Sequence, residues 1–435
     1  MKKYLLLILL PLILFAEQAL SSPEQDIKEI YTINSYRIWL LESAELPIVN
    51  VKIAFKGAGA AFDESGKEGT AFLLSQMLLE GAGNFESQDF KKELEKFAIE
   101  LDFDVDKDNF YITLKTLEEN IKRAFDLLSL ALSSPIFDEE SLKRVKAQVK
   151  TFITKNLEDP EYLAAIKWNE NYYKSHPYGS PTYGYLDSID DIERIDLINF
   201  KNNFLSRSNM QISAVGYIGE SEITNLVEGS FRDLSKTPKK HSNIHFAPSI
   251  ESAGTVRIEK DIPQSIIMFG HEGLDYHHKD FYALYVLNHI LGGGGFQSRL
   301  IKEIREKRGL SYSTYTYLAS LANASLFKGY VGTKNSDEAL KSLIEQLEII
   351  KNEGVTEEEL IAAKNYLIGS FPLKLDSNSR LVDFISFMQL EELGIDYIEK
   401  RDSYINSVTV EDIKRVAKEI IRPENLLMII VGKAS

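Results

Sequence analysis

The chain has 435 residues, 44% hydrophobic and 26% charged, an ordinary globular composition with length for two domains of roughly 200 residues. Its formal net charge of −15 argues against nucleic acid or an anionic membrane as partner, since both require a basic face, but leaves basic peptides unrepelled. The absence of cysteine excludes structural disulfides and a lipoprotein anchor.

At the N-terminus, Lys2-Lys3 precedes the apolar run Tyr4–Phe15 (YLLLILLPLILF), and Ala16-Glu17-Gln18-Ala19 comes after it. A short basic stretch, an apolar core and small residues beyond it predict a cleavable secretory signal over residues 1–19, cut near Ala16 or Ala19. A membrane span needs roughly 20 apolar residues, and Pro11 interrupts this run. The mature protein is therefore expected without a membrane anchor, in a bacterial periplasm. Leu46–Val51 opens a strand, and a long helix is predicted to end at Met77–Gly81. Asn109–Thr116 (NFYITLKT) alternates as a half-buried strand, and Leu117–Leu132 carries apolar residues at helical spacing. Asp138-Glu139-Glu140-Ser141 starts a further helix, its acids at the positive end of the helix dipole.

An internal repeat organises the rest of the chain. Residues 196–216 (DLINFKNNFLSRSNMQISAVG) recur as 412–432 (DIKRVAKEIIRPENLLMIIVG): an amphipathic helix, a polar turn around Asn209 or Asn425, and a buried strand ending in Val-Gly. Ile262–Phe269 opens a strand as Leu46–Val51 does, and His289–Gly293 ends the helix matching the one that ends at Met77–Gly81. The pattern predicts an α+β protein of two tandem homologous domains, each an antiparallel sheet packed by helices. Their expected bounds are 28–235 and 251–435. Residues 236–250 form the linker, where the polar run Ser235–Ser242 and Pro248-Ser249 break any helix.

Two other motifs admit chemistry. His271, His277 and His278, with Glu272 and Asp275, form a metal group or a solvated loop; the Gly and Asp content, and the divergence of adjacent His side chains, favour the loop. Gly292-Gly293-Gly294-Gly295 lacks the Gly-Lys-Ser/Thr ending of a phosphate cradle and reads as a flexible helix-end loop. No Gly-x-Ser-x-Gly elbow or other compact nucleophile signature is present.

Residues 66–83 (GKEGTAFLLSQMLLEGAG) resemble the segment around the inverted zinc motif His-x-x-Glu-His of the insulinase/pitrilysin (M16) peptidases, with Phe72, Ser75 and Gln76 at the first His, the Glu base and the second His. None of the three replaces a zinc ligand or a base. The family's third ligand, a Glu in the helix before an Asp-Pro turn, falls near Thr151 or Phe152; Glu158 and Asp159 belong to the turn beyond. Leu127–Phe137, Ser175–Ile189 and Leu287–Tyr312 extend the resemblance, which runs from about residue 28 to the C-terminus.

The resemblance implies a clam-shell of two such chains. Arg305 and Tyr312 match the family's Arg and Tyr that face the zinc and bind substrate, whereas Arg299 and Arg308 do not match those positions. It also implies a substrate-handling role for Gly292–Gly295 and a substrate-accepting edge strand near Asn50–Phe55. No metal or other cofactor is expected in this chain, and no catalytic residue that acts alone. Zinc and the intact His-x-x-Glu-His are expected on a partner M16 subunit, with extended peptide as substrate. The alternative is a stand-alone periplasmic peptide-binding or chaperone-like protein, which has no special need for Arg305 and Tyr312.

Overall fold

The computed structural model describes residues 26–240, 244–247 and 254–433, so the expected signal and part of the expected linker lie outside the described residues. The first half opens with strands β1 (Lys28–Tyr31), β2 (Arg37–Glu42) and β3 (Ile48–Lys56), then helix α1 (Thr70–Met77). A small ribbon, β4 (Gly81–Ala82) and β5 (Phe85–Glu86), leads to α2 (Ser87–Lys96) and the hairpin β6 (Glu100–Val105) and β7 (Asn109–Leu117). Helices α3 (Ile121–Ser133), α4 (Glu139–Glu158), α5 (Pro160–Tyr173), α6 (Leu186–Asp191) and α7 (Arg194–Phe204) precede β8 (Met210–Gly216) and α8 (Glu220–Ser230).

The second half repeats this order. Strands β9 (Gly254–Glu259) and β10 (Ser265–Glu272) precede α9 (Phe281–Asn288), the hairpin β11 (Ser311–Leu321) and β12 (Ala324–Thr333), and α10 (Ser336–Glu353). Helices α11 (Glu357–Gly369), α12 (Asn378–Leu390), α13 (Tyr397–Ser407) and α14 (Val410–Ile420) lead to β13 (Leu427–Gly432). The first sheet runs β1-β2-β8-β3-β7-β6 and the second β11-β12-β10-β13-β9. Apart from the extra β1, one order read backwards is the other. Each sheet holds one parallel pair, β2 with β8 and β9 with β13, and is otherwise antiparallel. The repeated segments are α7–β8 and α14–β13, and both helices begin with a capping box, Glu193/Asp196 and Thr409/Asp412.

Burial follows position in the sheet. β12 is buried at every residue because helices cover both of its faces, whereas β6 (ELDFDV) alternates exposed and buried. The two halves exchange helices: α5 lies on β10 and β13 of the second sheet, and α12 lies on β3 and β8 of the first. Trp168 of α5 donates its indole N–H to the Leu427 carbonyl at 3.1 Å, and Gln389 of α12 accepts from buried Ser213 at 3.2 Å. Asp108 ties the halves again. It accepts from the Tyr178 hydroxyl and from the Ala322 N–H at 2.9 Å, while Asn323 N–H donates to Tyr178 at 3.1 Å.

Three sequence expectations change. β3, which contains Asn50–Phe55, pairs with β8 on one side and β7 on the other, so it is no edge and has no free ladder to offer. The helices expected to be long are short: α1 ends at Met77 and the chain turns into β4 by Gly81, and α9 passes into a π-helical turn, His289–Gly293. His271 lies inside β10 rather than in a loop. It is buried and stacked 5.1 Å from Phe327; Arg422 N–H donates to its Nε2 at 3.2 Å, and burial lowers its pKa to about 4. It is thus a neutral core side chain, and only His277 and His278 are exposed.

Candidate substrate-facing site

Helix α1 carries the degenerate motif, and its start is fixed from outside the helix. Asp63 accepts from the N–H groups of Gly69 at 2.7 Å and Ala71 at 2.9 Å, two donors left over at the helix N-terminus. Burial pushes the Asp63 carboxyl up to about 7, against the pull of those donors. Gly69 sits at φ +98°, where a Cβ would meet Ile189 at 2.7 Å and the Tyr183 carbonyl at 2.9 Å, so only glycine brings α1 this close to the 183–189 segment.

Rings gather where the degenerate motif lies. Phe72 meets Tyr183 edge-on at 4.6 Å and Phe152 at 6.2 Å; Phe152 meets Tyr183 at 4.9 Å, and Tyr162 stacks on Tyr183 at 6.3 Å. Of the two residues expected near the third-ligand place, Phe152 joins these rings, whereas Thr151 turns its hydroxyl to the Ala147 carbonyl at 2.8 Å. Ser75 is buried and spends its hydroxyl on the Phe72 carbonyl at 2.7 Å, and the Gln76 amide donates to Ser75 at 3.2 Å. Zinc requires imidazole nitrogen, thiolate or carboxylate oxygen. The residues here do not fit that ion: two phenyl rings, a hydroxyl already bonded inward and an amide supply no such set. Among the described residues, no three His, Cys, Asp or Glu side chains gather to hold a metal elsewhere. Glu158 is the last residue of α4 and reaches Lys260 at 3.2 Å, while Asp159 caps α5 by accepting from Glu161 N–H at 2.8 Å.

Beside the rings lies a true sheet edge. β6 ends the first sheet and packs near α1. Burial raises the carboxyl of Asp102, and the charge of Asp104 adds to that; burial likewise raises the Tyr183 phenol, helped by Asp104. Val105 N–H donates to Asp104 at 2.8 Å. Tyr162, Tyr183, Asp102 and Asp104 were not singled out from sequence. The alternating ELDFDV with three acids was the available signal, because charged residues commonly guard a strand edge.

The second-half residues gather around one end of β11. Arg305 lies on a π-helical stretch, Ile301–Lys307, with its guanidinium 5.0 Å above the Phe296 ring. Tyr312 sits in a β-bulge between Ser311 and Ser313 and is 67% exposed. Gly292 and Gly293 are helical rather than a loop, and Gly294 caps that turn. A Cβ on Gly292 would meet Thr316 N at 2.6 Å, so packing of the turn on β11 accounts for this glycine; Gly295, at φ +57°, faces open space. Arg299 forms a two-pronged pair with Glu359 at 2.6 and 2.7 Å, and Arg308 pairs with Glu345 at 2.7 Å.

Residues 38–185 match the family model of insulinase (peptidase family M16), and residues 191–367 match that of the peptidase M16 inactive domain. The boundary between the matches falls before β8, which still belongs to the first sheet. The non-peptidase homolog YmxG of Helicobacter pylori is 28% identical, covering 96% of this chain and 100% of its own. The uncharacterized zinc protease YmxG of Bacillus subtilis is 25% identical over 90% of this chain and 94% of its own. A crystal structure of a peptidase M16 inactive domain from Pseudomonas fluorescens superposes with a TM-score of 0.88 at 26% identity, covering 94% of this chain and 98% of that one. Among the described residues no helix is long and apolar enough to cross a membrane. With an M16 match in each half, a shared architecture and phenyl rings where the ligands would stand, the chain belongs to the M16 insulinase-like peptidase family as a homologue without the family's zinc motif.

Proposed function

We propose that this chain is the non-catalytic, substrate-binding subunit of a heterodimeric M16 peptidase of the periplasm, acting on extended peptides. The observation that carries this reading is the unequal fate of the two half-sites. The zinc-motif positions hold the half-buried Phe72 and the 40% exposed Phe152, rings in mutual contact that offer no ligand, whereas Tyr312 stands 67% exposed on a bulge and Arg305 is propped on an exposed ring. A tyrosine so exposed contributes little to the core, and Phe296, 66% exposed, serves the guanidinium better than it serves packing. In the proposed dimer, Arg305 and Tyr312 donate hydrogen bonds to a peptide carbonyl and to the oxyanion that grows on it while the partner subunit runs hydrolysis. The free edge of β6 accepts peptide as an added strand.

The test is reconstitution with an M16 chain that carries His-x-x-Glu-His, recovered by affinity isolation of the mature protein from its native envelope. Arg305→Ala and Tyr312→Phe should leave the complex intact by size exclusion and lower kcat on an internally quenched peptide by about 100-fold or more for the arginine. Full activity in both variants refutes the supply of these groups. Failure to recover any such partner removes the heterodimer and leaves the stand-alone peptide-binding reading.

A further inference from the structure

The second half has a cleft where the first half has the rings of its degenerate motif. α9, β11 and the corner between α11 and α12 correspond, in the shared strand and helix order, to α1, β6 and the corner between α4 and α5. Tyr162 and Arg380 are each the third residue of their helix, α5 and α12. In the first half the space between these elements is closed by rings in mutual contact. In the second half it remains a cleft of about 620 Å³, within the range of small-molecule sites.

Its walls are aromatic and its charge is positive. Tyr276 contacts Phe281 at 4.7 Å and Phe387 at 5.2 Å, and Phe384 contacts Phe371 at 5.3 Å, so the rings form two linked walls. Three cations line it, Lys374, Arg380 and Arg401, against one acid, Asp383, which is itself paired with Lys52 at 3.1 Å. Arg401 is buried, 4.1 Å from the Phe371 ring, and is held by Asp402 at 3.2 Å. Arg380 pairs with Asp376 at 3.0 Å, a half-exposed pair of the kind that yields readily to a competing carboxylate. Asn288 lines the cleft as well; it is buried, and its side-chain oxygen has no hydrogen-bond partner among the described residues. Its amide can turn either end toward a bound molecule. With these pairs counted, Lys374 is the surplus charge, and together with the yielding guanidinium of Arg380 it favours an anion, while the rings select an apolar body.

We propose that this cleft binds a small amphipathic carboxylate, its apolar body between the aromatic walls and its carboxylate at Arg380 and Lys374. A fatty acid and the C-terminal residue of an apolar peptide share that chemistry. Isothermal titration of the mature chain separates them, using laurate in one arm and N-acetyl-Leu-Phe in the other. Dodecanol, the peptide amide and dodecyltrimethylammonium serve as controls.

One of the two carboxylates should bind with a stoichiometry of one, its neutral counterpart about tenfold or more weaker, and the cationic surfactant not at all. The double variant Arg380→Gln with Lys374→Gln alters two partly or fully exposed side chains and should fold with an unchanged melting temperature. It should weaken carboxylate binding by about tenfold or more. Equal binding of the cation, unchanged binding to the double variant, or no saturable binding of either carboxylate overturns the proposal.

Discussion

Lys328 offers a quantitative test of how the halves are packed. It lies on β12 opposite Gly270, buried beneath α5, with its ammonium 3.9 Å from the Trp168 ring centroid and 3.4 Å from the Asn169 side-chain oxygen. Burial pushes its pKa from 10.5 down to about 7. By linkage that shift corresponds to a net cost of about 5 kcal/mol for the charged form. The sign comes from proton counts. Below pH 7 both folded and unfolded states hold the proton, and the full cost is present. Between pH 7 and 10.5 the folded state releases its proton while the unfolded state keeps it, so stability rises with pH until the cost is gone. Lys328→Met removes the titration while keeping the length of the side chain. Urea unfolding monitored by Trp168 and Trp39 fluorescence should find the variant about 5 kcal/mol more stable at pH 6, with the gap closing as pH rises toward 10.5. A gap that stays constant across that range, or a variant less stable at pH 6, refutes the reasoning.

Three further outcomes rest on named contacts. Glu80 is held by Arg144 at 2.6 Å, Lys91 at 2.8 Å and Ser87; burial alone would raise its carboxyl, but these partners outweigh it and hold the pKa at about 2. Glu80→Gln should cost about 2 kcal/mol at pH 7 once solvent screening is allowed for, and chemical denaturation should show the loss fading as pH falls from 4.5 toward 2. Gly292→Ala forces a Cβ to within 2.6 Å of Thr316 N and should lower the melting temperature by several degrees, whereas Gly295→Ala, which meets nothing within 4 Å, should cost only about 1 kcal/mol for its positive φ. Asp108→Ala leaves Tyr178 and Ala322 N–H without their buried acceptor and should cost about 2 kcal/mol, with limited proteolysis between the halves accelerating in parallel.

The repeat was legible because it rests on local pattern. A capping residue, a helical stripe, a turn and a Val-Gly strand occur in fixed order at Asp196–Gly216 and Asp412–Gly432, and α7–β8 and α14–β13 reproduce them. The vanished metal ligands were equally plain, since Phe72 is phenylalanine in any fold. Strand order was not legible. Asn50–Phe55 is apolar and alternating whether it ends a sheet or lies inside one, and only its pairing with both β7 and β8 shows that it lies inside. His271 was hidden for a related reason: the Gly and Asp that mark a turn come just after it, and nothing local shows that β10 continues through it to pair opposite Phe327. The exchange of α5 and α12 is beyond periodicity altogether, because an amphipathic stripe specifies that a face is buried without specifying which sheet buries it.

The rings at the degenerate motif also constrain what this protein can become. In a zinc peptidase the ligands converge on an ion, and their positions carry no packing load toward one another. Here Phe72 and Phe152 touch each other and both touch Tyr183, so the three stabilise one arrangement of α1, α4 and the 183–189 segment. Returning a histidine at position 72 alone would set a polar ring against Phe152 and Tyr183 without any metal to repay its desolvation. Returning a glutamate at 152 alone would give up the contacts that the 40% exposed Phe152 ring makes with Phe72 and Tyr183. Each single step back toward metal binding therefore costs stability before the full ligand set exists. Arg305 and Tyr312 carry no such coupling, since one rests on an exposed ring and the other stands in solvent. The degenerate motif is thus held by mutual contacts of the half-buried Phe72 and Tyr183 with Phe152, itself 40% exposed, whereas Arg305 and Tyr312 face outward and remain available for whatever binds there.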